Sequence, residues 1–337
     1  MAGTLHGFGL GVASKNAKGD VLDVFYPTPL ANISGDLVSI FDGVSGELKA
    51  TEIRALSDGL RSAGEHSLAD IAVRLSEAGR PVVASLLADN AAPQTVADAY
   101  LKLHLLSHRL IKPHGTDLTG MFALLQNVAW TDEGPIDLAE LADRQLTSRL
   151  KGCVLEVASV DKFPKMTNYV VPSGVRIAHT ARVRLGAYLG SGTTVMHEGF
   201  INFNAGTDGP GMIEGRISAG VMVGRGSDLG GGCSTMGTLS GGGNIIISVG
   251  ESCLLGANAG LGIPLGDRCT VEAGLFVTAG TKVTVLDDAR EAVETLAARH
   301  LSGQSDLLFR RNSQSGSVEC LTNQTAIELN ESLHDNN

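Results

Sequence analysis

Aromatic residues are scarce, 4% of 337 with a single tryptophan, Trp130, so any core here is largely aliphatic. Proline is scarce as well, at 10, and no collagen-like period accompanies the glycines. The five cysteines (Cys153, Cys233, Cys253, Cys269 and Cys320) are odd in number and form no C-x-x-C. That pattern excludes a zinc ribbon or a disulfide framework and predicts reduced, mostly buried thiols in a cytoplasmic protein. Positive charge is outnumbered, with 26 Lys and Arg against 36 Asp and Glu, a formal net charge of −10. Nucleic acid and anionic membrane are thereby disfavoured as partners, whereas an anionic small ligand needs only a local basic cluster. No apolar run approaches the length of a membrane span. The opening MAGTLHGFGLGVAS has no basic segment and is broken by glycines, so no signal peptide is expected.

What is abundant is glycine, 43 residues, and it is unevenly spread: residues 171–280 hold 26 of them. Within that stretch aliphatic side chains recur every six residues. Ile177, Val183, Leu189, Val195 and Ile201 keep the step, then Ile217, Val223, Leu229 and Thr235, then Val249, Leu255 and Leu261, then Leu265, Val271, Val277 and Val283. Several are followed directly by glycine, as in Leu189-Gly190 and Val223-Gly224. A six-residue period of this kind is the signature of a parallel β-helix, one short strand and one turn per hexad, three hexads per coil. An ordinary sandwich would alternate with period two and have irregular loops. Residues 202–216 and 236–246 break the step and read as insertions, which in a solenoid project from one face and often bind ligand. The Gly241-Gly242-Gly243 run belongs to the second.

Length alone suggests two or three domains. Residues 1–165 read as an α/β domain, with helices over 98–111 and 137–150 and strands over 81–87 and 153–160. Residues 166–284 read as the β-helix. Residues 285–337 read as a short C-terminal segment: a helix over 287–301, opening with acids and closing near Arg299 and His300, and a hairpin over 307–321. The fold class expected is therefore mainly β.

Few residues carry obvious chemistry. His104 and His108 sit four apart on one helical face but lack the H-E-x-x-H glutamate and a third ligand, so packing is the favoured reading. His179 and His197 show no metal-ligand spacing. Glu214, in Glu214-Gly215-Arg216, lies where the first break ends. A carboxylate anchored on a rigid coil suits a base or a nucleophile, and equally a solvated loop charge. Gly231-Gly232-Cys233-Ser234 and Met236-Gly237-Thr238 can present backbone N–H groups to an oxyanion. Cys233 is either an acyl-accepting thiol or a small buried hydrophobe. Arg310-Arg311-Asn312 can pair phosphates or solvate an edge strand.

Longer strings are more specific. HEGFINFNAGTDGPGMIEGRISAGVMVGRGSDLGGGCSTMGTLSGGG, CLLGANAGLGIPLGDRCTVEAGLFVTAG and LLFRRNSQSG closely resemble the tetrahydrodipicolinate N-succinyltransferases, in their actinobacterial form. DKFPKMTNYVVPSGVRIA and LKLHLLSHRL extend the resemblance over nearly the whole chain. It implies a homotrimer of left-handed parallel β-helices. The implied reaction is succinyl transfer from succinyl-CoA to tetrahydrodipicolinate, giving N-succinyl-2-amino-6-oxopimelate and CoA on the diaminopimelate route to lysine. Glu214 matches the family's catalytic glutamate, as carrier of an acyl anhydride or as general base. Gly237 matches an oxyanion donor. Contacts to succinyl-CoA and substrate fall on Arg216, Gly231, Ser234, Ala257, Glu272, Ala273, Gly280, Arg310, Arg311, Asn312 and Ser313. Two positions depart from the pattern. Ala297 stands where relatives carry a lysine. Ala181 stands where an aspartate would join Glu198 in holding magnesium at the trimer axis, which puts that metal in doubt. Another hexapeptide-repeat acyltransferase and a non-catalytic trimeric scaffold are the competing readings, and regular coils without breaks would favour the scaffold.

Overall fold

The structure, a computed structural model, describes residues 4–237 and 245–322. The chain divides into two compact units, the first holding residues up to 111, 115–164 and 168–170, the second the remainder.

In the first unit, strands Leu5–Lys15, Val21–Phe25, Leu30–Ile33, Gly46–Leu48 and Val82–Leu87 form one antiparallel sheet centred on Leu5–Lys15 and Val82–Leu87. Helices Ala50–Ser62 and His66–Ser76 supply Leu56, Leu60 and Ala69 to a core completed by Phe8, Ile33 and Phe41. A third helix, Val96–Ser107, begins at a reciprocal cap: Thr95 Oγ1 accepts the Asp98 N–H and the Asp98 carboxylate accepts the Thr95 N–H. His104 on this helix is fully buried; Nε2 accepts the Tyr26 N–H and Nδ1 donates to the Tyr100 carbonyl. Burial brings its pKa down to about 3, so it packs as a neutral ring. A small sheet of Gly134–Asp137, Val128–Thr131 and Val157–Asp161, with helix Leu138–Leu150, completes the unit.

The second unit is a coil with three parallel faces. The first face stacks Arg176–Ile177, Thr193–Val195, Gly211–Ile213, Asp228–Leu229, Leu254–Leu255 and Thr270–Val271. The second stacks Phe200–Ile201, Arg216–Ile217, Ser234–Thr235, Gly260–Gly262 and Phe276–Thr278. The third stacks Ala187–Leu189, Ala205–Thr207, Met222–Val223 and Ser248–Val249. The periodic aliphatics from Val183 onward point inward, and no coil covers them without its neighbours: Val183, Leu189, Val195, Ile201, Ile213 and Ile217 are all fully buried. Each contributes roughly 2 kcal/mol of apolar burial.

Residues 202–216 are not an insertion. Strands Ala205–Thr207 and Gly211–Ile213 continue the coil in register. The aliphatic pattern lapses because Thr207 takes the inward place, its hydroxyl accepting the Gly209 N–H at 3.0 Å. The only irregularity is a corner two residues short, from Ile213 to Ile217. The break at 236–246 lies between a second-face and a third-face strand, and its glycine run is outside the described residues.

No α-helix forms over 287–301. Strand Lys282–Leu286 turns through Asp287 and Arg290, and Ala292–Ala297 returns antiparallel to it. Asp287 accepts the Arg290 N–H on its carbonyl and the Glu291 N–H on its carboxylate, which closes a tight turn. β-Branched Thr295 pairs across to Thr284 and Leu296 to Val283, with Val293 taken up in a bulge, and this pairing outweighs the helical charge pattern. A 3-10 turn, Ala298–Leu301, follows. The hairpin over 307–321 forms as Leu307–Arg311 and Val318–Thr322. Leu307–Arg311 also adds in parallel to the last first-face strand, Thr270–Val271.

Candidate active site

The corner between the first and second faces takes six residues from one inward side chain to the next in most coils: Val195 to Ile201, Leu229 to Thr235, Leu255 to Leu261, Val271 to Val277. Between Ile213 and Ile217 it takes four. The coils on either side keep full corners, so the short one leaves a recess of about 520 Å³ between them. Its walls include Gly215 and Arg216 from the short corner, Glu198 and Phe200 from one neighbour, and Cys233 and Ser234 from the other.

Glu214 opens the short corner. Its N–H donates to the Leu229 carbonyl at 2.8 Å, and the next strand's Arg216 N–H donates to the Cys233 carbonyl at 2.8 Å. The backbone on both sides of Glu214 is therefore held by the adjoining coil. The carboxylate lies toward Gly231, where a side chain's first carbon would come within 3.4 Å of Oε2. Gly215 is closer still to its neighbour. An added Cβ there would stand 2.3 Å from Cys233 Sγ and 2.6 Å from its carbonyl oxygen, so only glycine lets the coils stack at this step.

Cys233 does not serve as a thiolate. Burial first, and the Glu214 charge second, push its pKa up to about 12, so at neutral pH it is a packed thiol. Arg216 is exposed, but Nε and Nη2 both donate to Ser234 Oγ, at 3.0 and 2.6 Å, which fixes the plane of its guanidinium. Arg182 lines the opposite rim; its Nη2 donates to the Glu198 carbonyl at 2.7 Å and lies 3.9 Å from the Glu198 carboxylate.

The residues of one chain do not by themselves make a magnesium site. Glu198 is the lone carboxylate lining the recess, it faces a guanidinium, and Ala181 offers no side-chain oxygen. Among the described residues, no three His, Cys, Asp or Glu side chains gather to hold a metal ion.

The other sequence-derived residues fall into two sets. Register places Glu214, Gly230, Gly256, Glu272 and Arg310 on successive rungs of one corner, with Gly231, Ala257, Ala273 and Arg311 one residue further along. Five rungs at about 4.8 Å make a strip roughly 19 Å long. Near its far end Glu272 accepts the Arg311 N–H at 2.6 Å. Arg310 donates to Glu319 Oε2 from Nε at 2.9 Å and from Nη2 at 2.8 Å, and Asn312 Nδ2 donates to Glu319 Oε1 at 2.7 Å. These three residues thus fasten the hairpin, whereas Arg311 and Ser313 are exposed. Gly237 and Gly280 lie elsewhere, beyond the second-face strands Ser234–Thr235 and Phe276–Thr278, at the corner leading to the third face. Among the described residues, His179 and His197 join no group of three metal-ligating side chains. Sequence reading missed Arg182 and Phe200. The signal is there: each directly precedes an inward aliphatic, as Arg216 does.

Comparison with known proteins gives a consistent result. Residues 125–165 match a family described as the tetrahydrodipicolinate N-succinyltransferase middle region, and residues 246–279 match the hexapeptide repeat of succinyl-transferase. The chain is 62% identical over 345 residues to the 2,3,4,5-tetrahydropyridine-2,6-dicarboxylate N-succinyltransferase of Pseudomonas paraeruginosa, covering all of both chains. It is 57% identical to the enzyme of the same name from Vibrio cholerae, covering 98% of each. A crystal structure from Campylobacter jejuni, described as a 2,3,4,5-tetrahydropyridine-2-carboxylate N-succinyltransferase, superposes with a TM-score of 0.87. It is 33% identical, and the match covers 96% of this chain and 94% of that one.

Proposed function

Since this chain belongs to the tetrahydrodipicolinate N-succinyltransferases, we propose that the short corner at Glu214 is where it performs their reaction. The enzyme transfers a succinyl group from succinyl-CoA to tetrahydrodipicolinate, a step of diaminopimelate and lysine biosynthesis. The product is N-succinyl-2-amino-6-oxopimelate, with CoA released.

Chemically, water adds across the ring C=N of tetrahydrodipicolinate and the ring opens to the 6-ketone and a free 2-amine; that amine attacks the thioester carbonyl, the new C–N bond forms as the C–S bond breaks, and the amine must lose a proton. Glu214 takes that proton. What supports this role is its placement: a carboxylate whose backbone is held on both sides, in the short corner whose Gly215 and Arg216 line the recess. A positioned base of this kind contributes about 10²–10⁴-fold. The proton passes on to the departing thiolate. An acyl anhydride on Glu214 is the competing route, and rapid-quench trapping of a succinylated Glu214 would establish it.

The strip from Gly231 through Ala257 and Ala273 to Arg311 receives the extended CoA, with Arg311 and Ser313 toward its phosphates. Gly237 and Gly280 occupy a different corner of the same chain. Their assignment to one site is met by a homotrimer of left-handed coils, in which the Glu214 corner of one copy faces the Gly237 corner of the next. No described helix is long and apolar enough to cross a membrane, and a cytoplasmic biosynthetic enzyme is the setting we propose.

Thiol release decides the assignment. Succinyl-CoA should yield free CoA only when the dicarboxylate acceptor is present, and acetyl-CoA should be a much poorer donor. Equal rates with both donors would indicate a different acyltransferase, and no release with either would favour a scaffold.

A further inference from the structure

Register extends the second face beyond its named strands. Val183 bridges Ile201 in parallel, Ile201 pairs Ile217, and Arg216 pairs Ser234. Arg182, Phe200 and Arg216, each one residue before an inward aliphatic, therefore occupy three successive outward positions. The two guanidiniums stand two rungs apart, roughly 10 Å between backbones, with a phenyl ring on the rung between them. All three line the recess beside Glu214.

Both arginines are held from the coil side. Arg182 spends Nη2 on the Glu198 carbonyl, and Arg216 spends Nε and Nη2 on Ser234 Oγ. Phe200 is braced by the Arg184 guanidinium, 5.9 Å from its ring centroid. The pattern cation, apolar surface, cation has a chemical complement. Tetrahydrodipicolinate carries two carboxylates, on the carbons that flank its nitrogen, and three methylenes join those carbons.

We propose that Arg182 and Arg216 clamp the two carboxylates of the acceptor while Phe200 covers its methylene segment, and that Arg182, with Phe200, sets the preference for a dicarboxylate. This rests on the succinyltransferase reading of the recess. Guanidiniums whose orientation is already fixed lose little freedom when they take a carboxylate.

The test is binding without turnover, by calorimetry, of pimelate and of heptanoate, the seven-carbon diacid and monoacid. The wild-type protein should bind pimelate at least about tenfold more tightly than heptanoate. Arg182→Gln should bring the two within about twofold, and Phe200→Ala should weaken both ligands by a similar factor. Arg182→Lys keeps the charge and a donor for the Glu198 carbonyl, and is the variant to use if the glutamine form does not fold; it should lose several-fold of the preference. In steady-state kinetics, Arg182→Gln should raise the KM for the acceptor about tenfold and leave that for succinyl-CoA within twofold. A pimelate preference that survives Arg182 replacement, or one absent from the wild type, overturns the clamp. Because binding is read without CoA, that result stands apart from failure of thiol release, which would count against the succinyltransferase reading itself.

Discussion

The corner between Ile213 and Ile217 and the corner between Leu261 and Leu265 share one defect, each spanning four residues where the ordinary step is six. Their contents differ. The second is filled: Ile263 is fully buried, Leu265 nearly so, and the Met236 thioether reaches toward Gly262. The first carries Glu214, Gly215 and Arg216, one buried glycine between two charges, and stays open. A shortened corner is thus only an opportunity in a coil of this kind. Side chains long and apolar enough to fold back close it, and a charged pair flanking a glycine leaves room for a ligand.

The comparison breaks most sharply at Glu214. Glu214→Gln keeps size and polarity but can neither accept a proton nor carry an acyl group. It should fold as the wild type does, still bind CoA, and lose at least about a hundredfold in kcat. Turnover within a few-fold of wild type would remove Glu214 from the mechanism.

Next come the two glycines. Gly215→Ala drives a methyl into the Cys233 sulfur and backbone, which have nowhere to go, and should cost roughly 1–3 kcal/mol, read as a fall in Tm of several degrees. At Gly262 the nearest atom is the mobile Met236 sulfur, 2.7 Å from the added carbon, so Gly262→Ala should cost less. Equal losses would mean that the two corners are packed alike.

The paired arginines at the end of the strip should separate as well. Arg311→Ala should raise the KM for succinyl-CoA several-fold and leave kcat near wild type. Arg310→Ala should act on stability instead, by about 1–3 kcal/mol, because it strips a charge-assisted partner from the largely buried Glu319. The sign of the pH effect follows. The Asn312 hydrogen bond first, and Arg310 after it, hold the Glu319 carboxyl below its ordinary range against the opposing push of burial. Its contribution is complete above the unfolded value of about 4.3 and is lost as pH falls through the lower folded value. Arg310→Ala should therefore move the acid unfolding midpoint upward. An unchanged midpoint would show that Asn312 alone holds the carboxylate.

The smallest effects concern the remaining groups at the recess. Cys233→Ala and treatment with EDTA should each leave activity within about twofold, and iodoacetamide at pH 8 should modify exposed Cys153 and spare Cys233. Magnesium-reversible loss of all activity would show a metal held by ligands other than those described.

The coil was legible because its signal is purely periodic: one inward aliphatic per six residues survives any surface change. Glu214 was legible only through resemblance, since one acid among 36 says nothing by itself. Where the reading went astray, polar residues stood in for apolar ones. Thr207 at an inward position made a continuous coil resemble an insertion, and the acids of 287–291 suggested a helix start when one of them, Asp287, closes a strand turn. Arg182 and Phe200 were overlooked because an outward position carries no period of its own. Their meaning appears once the inward residues set the register.

The way the first face ends has its own consequence. A bare last rung at Thr270–Val271 would present a full row of unpaired amides and carbonyls to any other copy. Leu307–Arg311 covers that row, the chain then reverses in Val318–Thr322, and the outermost strand of the sheet is Ala292–Ala297, with Glu294 at its middle. Strands of opposed direction under an acidic edge make a poor template for one more parallel rung. The C-terminal hairpins therefore act as a terminator: along this face copies cannot add end to end into a fibre, and growth of the solenoid stops at one chain's length.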